Sequence, residues 1–406
     1  MKWEKVKLGE LYEVHNGLSK AGKFFGEGYP FLTFSTVFNN YFIPKQITDL
    51  VQSTEKEQES YSIRRGDVFV TRTSETSDEL GMSCVALKDY PMATYNGFTK
   101  RMRPITNRVF PEYIGYYMRL PSFRGEFRAF STMTTRASLR NEDLLGLEVK
   151  LPSIEIQKKI ADILSAYDDL IENNQKQIKL LEEAAQRFYK EWFVDLRFPG
   201  HENTKIVDGV PEGWRVASIA DICDTVGGGT PSTKIQSYYE KGDILWVTPT
   251  DITRNFSLAL LDTEKKITPE GLKNSSAKML PAETILMTSR ASVGFFGMCK
   301  YEVCTNQGFI SCIPKRENLQ MYLLFNLKSR VEEIRQKAGG STYLEISKTV
   351  FRELKIILPK DEVLAEYQKN VHDIFDEIYC RTEMIKSLVD MRNRLLPKLM
   401  SGEVEV

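Results

Sequence analysis

The stretch that decides the architecture is IADILSAYDDLIENNQKQIKLLEEAAQRF, residues 160–188, read beside VHDIFDEIYCRTEMIKSLVDMRNRLLPKL, residues 371–399. The first carries a seam in steps of four and three: Ile160, Leu164, Tyr167, Ile171, Asn174, Ile178, Leu181, Ala185 and Phe188. Adding 211 to each number gives a second seam: Val371, Phe375, Ile378, Thr382, Ile385, Val389, Arg392, Leu396 and Leu399. Alternating steps of four and three are the period of a coiled-coil stripe, so each stretch predicts a helix whose apolar face needs a partner. Each is the obvious partner of the other, and an antiparallel pair is expected. A buried Asn in such a seam fixes register at some cost in stability. In an antiparallel pair centred on the repeat, Asn174 stands opposite Ile385; exposure of Asn174 to solvent is the alternative.

The repeat extends outward from the seams. Trp3 aligns with Trp214, Leu8 with Ile219, Leu11 with Ile222 and Gly17 with Gly228, all at the same offset. Farther on, Asn96-Gly97-Phe98 aligns with Gln307-Gly308-Phe309, GDVFVTRTS (66–74) answers ETILMTSRAS (283–292), and Leu151-Pro152 answers Leu358-Pro359. A series of this kind, in order, is a duplicated domain; solenoid repeats are far shorter.

The expected organisation is a module at 1–151, a central helix at 152–198, a second module at 199–358 entered through a linker at 199–213, and a C-terminal helix at 359–406. The fold class is α+β: two tandem α+β modules with an internal pseudo-twofold repeat, separated by two long helices that pair as an antiparallel coiled coil. VFVTRT (68–73) and TILMTS (284–289) read as strands, continued as hairpins by SCVALK (83–88) and FFGMCK (295–300). Residues 111–130 and 319–338 read as helices. Pro199-Gly200 is expected to break the first long helix, and Pro397 to kink or end the second.

At 406 residues and 42% hydrophobic, the chain can bury more than one core. No apolar run reaches about 18 residues and no basic-then-apolar leader opens the chain, so a soluble, cytoplasmic protein without a membrane segment is expected. Six cysteines without CxxC spacing, alongside three histidines, read as reduced structural thiols rather than a zinc site. Net charge is zero, but it is unevenly spread. Residues 1–151 hold 21 basic and 18 acidic side chains, whereas residues 359–406 hold 7 and 10. Slightly positive modules suit phosphate, and slightly negative helices suit protein.

No catalytic constellation stands out. There is no phosphate-gripping loop with its lysine, no GxGxxG after a strand, and no Asn/Asp-Pro-Pro-aromatic motif. GGGT (227–230) lacks the lysine of a phosphate loop and reads as a backbone turn. Asp168 and Asp169 are adjacent on a helix and do not converge on one metal. No metal ligand and no catalytic residue is therefore assigned.

What remains are Ser/Thr/Arg-rich loops at matching places. Thr71, Arg72, Thr73 and Ser74 lie in TRTSETSDELG (71–81), and Thr288, Ser289, Arg290 and Ser292 in TSRASVG (288–294). Thr135 and Arg136 lie in TMTTRASLR (132–140), and Ser341, Thr342 and Tyr343 in GGSTYLEIS (339–347). Hydroxyls bond phosphates at short range and arginine pairs two acceptors on guanine, so these loops suit double-stranded DNA. One such loop alone reads rather as an ordinary polar hairpin tip; two matched pairs in a duplicated frame favour a binding face.

GGGTPST (227–233), ILWVTPTDI (244–252, with Thr248 and Thr250) and ETILMTSRASVG (283–294), in that order, resemble the target recognition domain of type I restriction–modification specificity subunits. LLEEAAQRFYKEWFVDLRFPG (180–200), PEGW (211–214) and RLLPKLMSGEV (394–404) are similar to that family's joining segments. The likeness covers nearly the whole chain. The first module departs from it, with GLSKAG where the second has GGGTPST.

The resemblance implies a non-catalytic subunit that recognises a split, asymmetric DNA target, one half per module. It implies two methyltransferase subunits as partners, and restriction subunits that translocate DNA in the larger complex. S-adenosylmethionine, ATP and magnesium then belong to those partners, and none to this chain. The aromatic run Phe188, Tyr189, Trp192 and Phe193 is expected either to hold a methyltransferase subunit or to pack against its own modules. From Ile160 to Phe188 the helix spans roughly 40–45 Å at about 1.5 Å per residue, against about 34 Å for a turn of B-DNA; a ruler for the unread spacer follows. A peptide-binding scaffold remains the alternative, and a self-sufficient methyltransferase or nuclease is disfavoured by the missing motifs.

Overall fold

The computed structural model describes residues 3–74, 79–129, 137–340 and 343–406, the side chains at 73–74, 128–129 and 137–138 excepted. The chain divides into two compact units, Met1–Asp169 with Val389–Val406, and Leu170–Leu388. Each unit therefore holds one module and a piece of each long helix.

The two modules are built on one plan. The first has a four-stranded antiparallel sheet in the order Tyr12–Asn16, Thr99–Pro104, Val68–Thr71, Ser83–Val85. The second repeats that order with Cys223–Val226, Phe309–Pro314, Ile285–Thr288, Phe296–Gly297. Val68–Thr71 and Ile285–Thr288 are buried at every position, which is why they read as short apolar runs rather than as alternating strands. A smaller three-stranded sheet accompanies each, with one parallel contact: Phe31 beside Thr94 in the first module, Trp246 beside Cys304 in the second.

The repeated glycines mark a close backbone approach. A Cβ on Gly17 would lie 2.0 Å from the Asn96 carbonyl oxygen, and one on Gly228 would lie 2.1 Å from the Thr305 carbonyl oxygen. Only glycine fits at either point.

Both expected module helices are interrupted. Residues 111–130 form Pro111–Tyr117 and Pro121–Ala129, because Pro121 cannot continue a helix and starts a new one. Residues 319–338 form Gln320–Ser329 and Val331–Gln336, divided at Arg330 (φ −113°, ψ 19°).

The first long helix runs Ile154–Tyr189 and continues through a wide π turn, Lys190–Val194. It stops before Pro199, because Leu196 takes a left-handed φ of 56°. The second runs Asp361–Ser401 and continues past Pro397, so that proline does not end it. The lost backbone hydrogen bond is outweighed there by packing: Leu396, Leu399 and Met400 are each under 5% exposed in the first unit's core.

Every seam residue is buried or half-buried. In the first unit Ile160, Ala161 and Leu164 share a core with Leu396, Leu399 and Met400. Beyond them Asp168 accepts the Tyr116 hydroxyl at 2.5 Å and the Arg392 guanidinium. In the second unit Arg381 donates to Asn174 Oδ1 at 3.1 Å, and Phe188 stacks on Tyr367 with centroids 5.7 Å apart. Within each unit, rising numbers on one helix meet falling numbers on the other, so the helices pair antiparallel. Asn174 is 4% exposed, and its polar partner is Arg381, one turn from Ile385.

Trp3 and Trp214 show the pseudo-symmetry at its ends. Trp3 packs over Gly402 at the close of the second helix, and Trp214 packs on Phe193 and Phe198 at the close of the first.

Candidate nucleic-acid interface

The hairpin loops are closed at their base by equivalent threonines. Thr71 Oγ1 donates to the Glu79 carbonyl at 2.6 Å and accepts the Met82 N–H at 2.9 Å. Thr288 Oγ1 donates to the Ser292 carbonyl and accepts the Phe295 N–H at 2.9 Å. Both side chains are fully buried. The expectation that Thr71 and Thr288 contact DNA is therefore corrected: their hydroxyls are spent inside the loop. Ser289 is 3% exposed and corrected likewise. Thr248 is a helix cap, donating to Asp251 at 2.6 Å while Asp251 accepts the Thr248 N–H.

The matched loops are not matched residue for residue. The Leu139 N–H bonds the Arg72 carbonyl, as the Ile346 N–H bonds the Ser289 carbonyl. Arg72 thus corresponds to Ser289, and Arg290 to Thr73. A one-residue step reverses which face a strand side chain takes. Arg72 is half-buried, donates to Asn16 Oδ1 at 3.3 Å, and its Nε has no hydrogen-bond partner among the described residues. Beside it lies Lys100, 5% exposed and bonded to Asn141. Burial, and then the charge of Arg72, hold the Lys100 ammonium below the ordinary lysine range. In the second module Lys348, the counterpart of Asn141, brings its ammonium near Gly227, the counterpart of Asn16. The two modules thus put a lysine at one place from different chain positions.

Arg290 sits at the loop tip with half its side chain exposed, 3.8 Å from Glu345. The next residue, Ala291, holds a left-handed φ of 61°. Arg290, Ser292, Thr250 and Tyr343 line one open groove. Tyr343 is 61% exposed, a large ring held in solvent. These four sequence-derived candidates come together. The groove offers a guanidinium, hydroxyls and an aromatic face, the donor-rich set that suits base-edge acceptors and phosphates.

Thr135, Arg136, Ser341 and Thr342 lie outside the described residues. For Thr73 and Ser74 only the backbone is described, as a short strand paired with Ala137–Ser138.

Sequence reasoning missed Asn306 and Gln307, which line the same groove. The signal was at hand in the aligned NGF and QGF triplets, but the alignment was one residue out. Asn96 Oδ1 accepts the Phe98 N–H at 2.7 Å, and Asn306 Oδ1 accepts the Gly308 N–H at 2.8 Å. Asn96 therefore pairs with Asn306, and Gly97 with Gln307.

The aromatic run resolves in favour of its own unit. Tyr189 OH accepts from Asn326 Nδ2 at 2.8 Å and is 3% exposed; Trp192 is 7% exposed. Phe193 packs edge-on to Tyr322 at 4.7 Å, and Phe188 stacks on Tyr367. For Tyr189 and Trp192, buried in their own unit, a methyltransferase-docking role is corrected; Phe188 and Phe193 are half-buried, and all four rings fasten the helix to the second module.

Among the described residues one group has metal-ligand spacing: Glu283, His372 and Asp376, with ligand atoms within 4.8 Å of one another. The Lys300 ammonium lies 2.6 Å from Asp376 and supplies the cation, so the group is an ion-pair cluster pinning the second long helix to its module. Five of the six cysteines are buried, and all six are free thiols.

Comparison with known proteins agrees with the duplicated plan. A family model described as the type I restriction modification DNA specificity domain matches residues 1–183 and again 211–389. The MjaIX type I restriction enzyme specificity subunit of Methanocaldococcus jannaschii is 27% identical over 422 residues, spanning 100% of this chain and 94% of the relative. The HindI specificity subunit of Haemophilus influenzae is 25% identical, spanning 99% of each. The crystal structure of a type I restriction–modification S subunit from M. genitalium shares the fold, with a TM-score of 0.58, 16% identity, and coverage of 98% of this chain and 96% of that one. No helix among the described residues is long and apolar enough to cross a membrane.

Proposed function

The chain belongs to the type I restriction–modification DNA specificity family, and from that premise we propose that it is the DNA-recognition subunit of such a system, each module reading one half of a split, asymmetric target. The observation that carries this reading is the groove at Arg290: an exposed arginine, hydroxyls at Thr250 and Ser292, and an exposed tyrosine converge on the loop face of a frame that the first module repeats with different side chains. One frame with two sets of side chains is what an asymmetric target requires.

In this reading the chain itself carries no catalytic step. The partners are two methyltransferase subunits and, in a larger complex, restriction subunits that move DNA. S-adenosylmethionine, ATP and magnesium are theirs, and the complex works in the cytoplasm. The paired helices fix the unread spacer between the half-sites.

The test is to assemble the chain with its methyltransferase subunits, supply S-adenosylmethionine, and map methylated positions in a random-sequence DNA library. A single bipartite, asymmetric motif is expected. Methylation without sequence preference sinks the reading, as does a motif indifferent to which specificity chain is supplied.

A further inference from the structure

The two modules differ by a coupled pair at one place on their reading faces. The Leu18 N–H bonds the Tyr95 carbonyl, as the Gly229 N–H bonds the Thr305 carbonyl. Ser19 therefore corresponds to Thr230, just as Gly97 corresponds to Gln307. In the second module the Thr230 hydroxyl donates to Gln307 Oε1. In the first, a Cβ on Gly97 would lie 2.4 Å from Ser19 Oγ, so the hydroxyl occupies the space where a side chain would start. One module shows an anchored amide at this point; the other shows a bare hydroxyl.

The anchoring sets which half of the amide is available. A free Gln reads adenine by two bonds, its carbonyl accepting from N6 and its amide donating to N7. Here the carbonyl already accepts the Thr230 hydroxyl, and Gln307 lines the same groove as Arg290. That bond turns the carbonyl toward Thr230 and takes one of its two lone pairs, leaving the NH₂ group, with both its donors, as the end turned away from Thr230. Gln307 and Thr230 are both exposed, so the amide can reach a ligand without any rearrangement of the core.

Resting on the DNA-recognition reading above, we propose that the Thr230–Gln307 pair is a specificity determinant of the second module. Gln307 is held NH₂-first, a donor that favours guanine N7/O6 or thymine O4 over adenine, which it can meet only at N7 because its carbonyl is turned away from N6, and Thr230 is its positioning residue. Ser19 and Gly97 give the first module a different, shorter contact at the corresponding base. The difference at this pair is one source of the asymmetry of the target.

The experiment compares wild type, Gln307→Ala and Thr230→Val, each assembled with the methyltransferase subunits and S-adenosylmethionine on a random-sequence DNA library, with the methylated motif as readout. Gln307→Ala is expected to lose about tenfold discrimination at one base pair of one half-site. Thr230→Val frees the carbonyl, and the same position is expected to admit adenine. The other half-site stays unchanged in both. If both variants keep the wild-type motif, or if the change appears in the other half-site, the proposal is overturned. A wild-type assembly with no bipartite motif overturns the DNA-recognition reading instead, so the two failures are distinct.

Discussion

Replacing Arg290 with alanine tests the reading face most directly. The guanidinium is half exposed and stands 3.8 Å from Glu345, too far for a tight two-bond pair. An exposed ion pair of that kind contributes between about 0 and 1 kcal/mol, so little is lost from the folded chain when it goes. Binding loses more. An arginine on guanine is worth about 1–3 kcal/mol of discrimination, or roughly 5- to 150-fold in affinity for the cognate half-site. The loop should stay in place, because Thr288 and not Arg290 closes it.

Arg290→Lys separates two chemistries. A phosphate contact survives in lysine and keeps the salt dependence, whereas a two-bond guanine contact is lost. Glu345→Gln removes the competing carboxylate and should raise affinity up to about fivefold, the upper limit for so exposed a pair. The assay is equilibrium binding of cognate and half-site-scrambled duplexes to the assembled complex at several salt concentrations. If Arg290→Ala leaves both cognate affinity and salt slope at wild-type values, the placement of Arg290 on DNA is wrong. If Arg290→Lys binds like wild type with full specificity, the contact is to phosphate and the base assignment fails.

Thr71→Val and Thr288→Val, at two fully buried side chains, each remove the acceptor of a backbone N–H, of Met82 and Phe295 respectively, and the donor to a loop carbonyl; a loss of about 1–3 kcal/mol in urea unfolding is expected for each, and a loss in one module alone would break the equivalence drawn between them. Asp168→Ala removes the acceptor of the Tyr116 hydroxyl and the carboxylate beside Arg392, whose side chain is 14% exposed; about 2 kcal/mol of stability should go, with part restored by a second change, Arg392→Met, and no restoration would mean the two residues are uncoupled. Lys100 carries the pH prediction. Its folded pKa lies below the ordinary 10.5, so between the two values the unfolded chain binds more protons and wild-type stability gains with rising pH. Lys100→Met should therefore look most favourable near neutral pH and lose that advantage toward pH 10.5; a difference in melting temperature that stays constant across the range refutes the shift. Four residues inserted within 170–180 of the first long helix should change the spacer of the methylated motif without changing either half-site, and an unaltered spacer removes the ruler from the proposed function.

Much of the architecture was legible because the relevant forces act at short range or repeat. A seam in steps of four and three is a property of one helix's geometry, and all eighteen of its residues are buried or half-buried. Gly17 and Gly228 could be matched by number alone, and each proves to be a point where a side chain cannot fit. Pro121 divides its helix as local sterics demand, but Pro397 does not, because tertiary burial of Leu396, Leu399 and Met400 outweighs one missing hydrogen bond.

The candidate site was legible in outline only. Polar, hydroxyl-rich loops in matching places pointed to segments that meet at one groove in the second module, but a Thr that closes a loop and a Thr that lines a groove look alike in one dimension. Thr71 and Thr288 close loops and Thr248 caps a helix, whereas Thr250 lines the open groove, and only the tertiary structure separates them. The aromatic run from Phe188 to Phe193 was ambiguous for the same reason, since a buried ring and a docking ring share one composition.

By itself the sequence determined the duplication, the two helices and their antiparallel pairing, and the segments from which a reading face would be drawn. Those features follow from periodicity and from backbone sterics, which neighbours in the chain settle among themselves. Only the tertiary structure decided the register. It placed Arg72 against Ser289 instead of Arg290, set Gln307 against Gly97, and brought Thr250, Arg290, Gln307 and Tyr343 into one groove. Strand register and loop closure depend on hydrogen bonds between residues far apart in sequence, and a one-residue step there turns a side chain from one face of the sheet to the other.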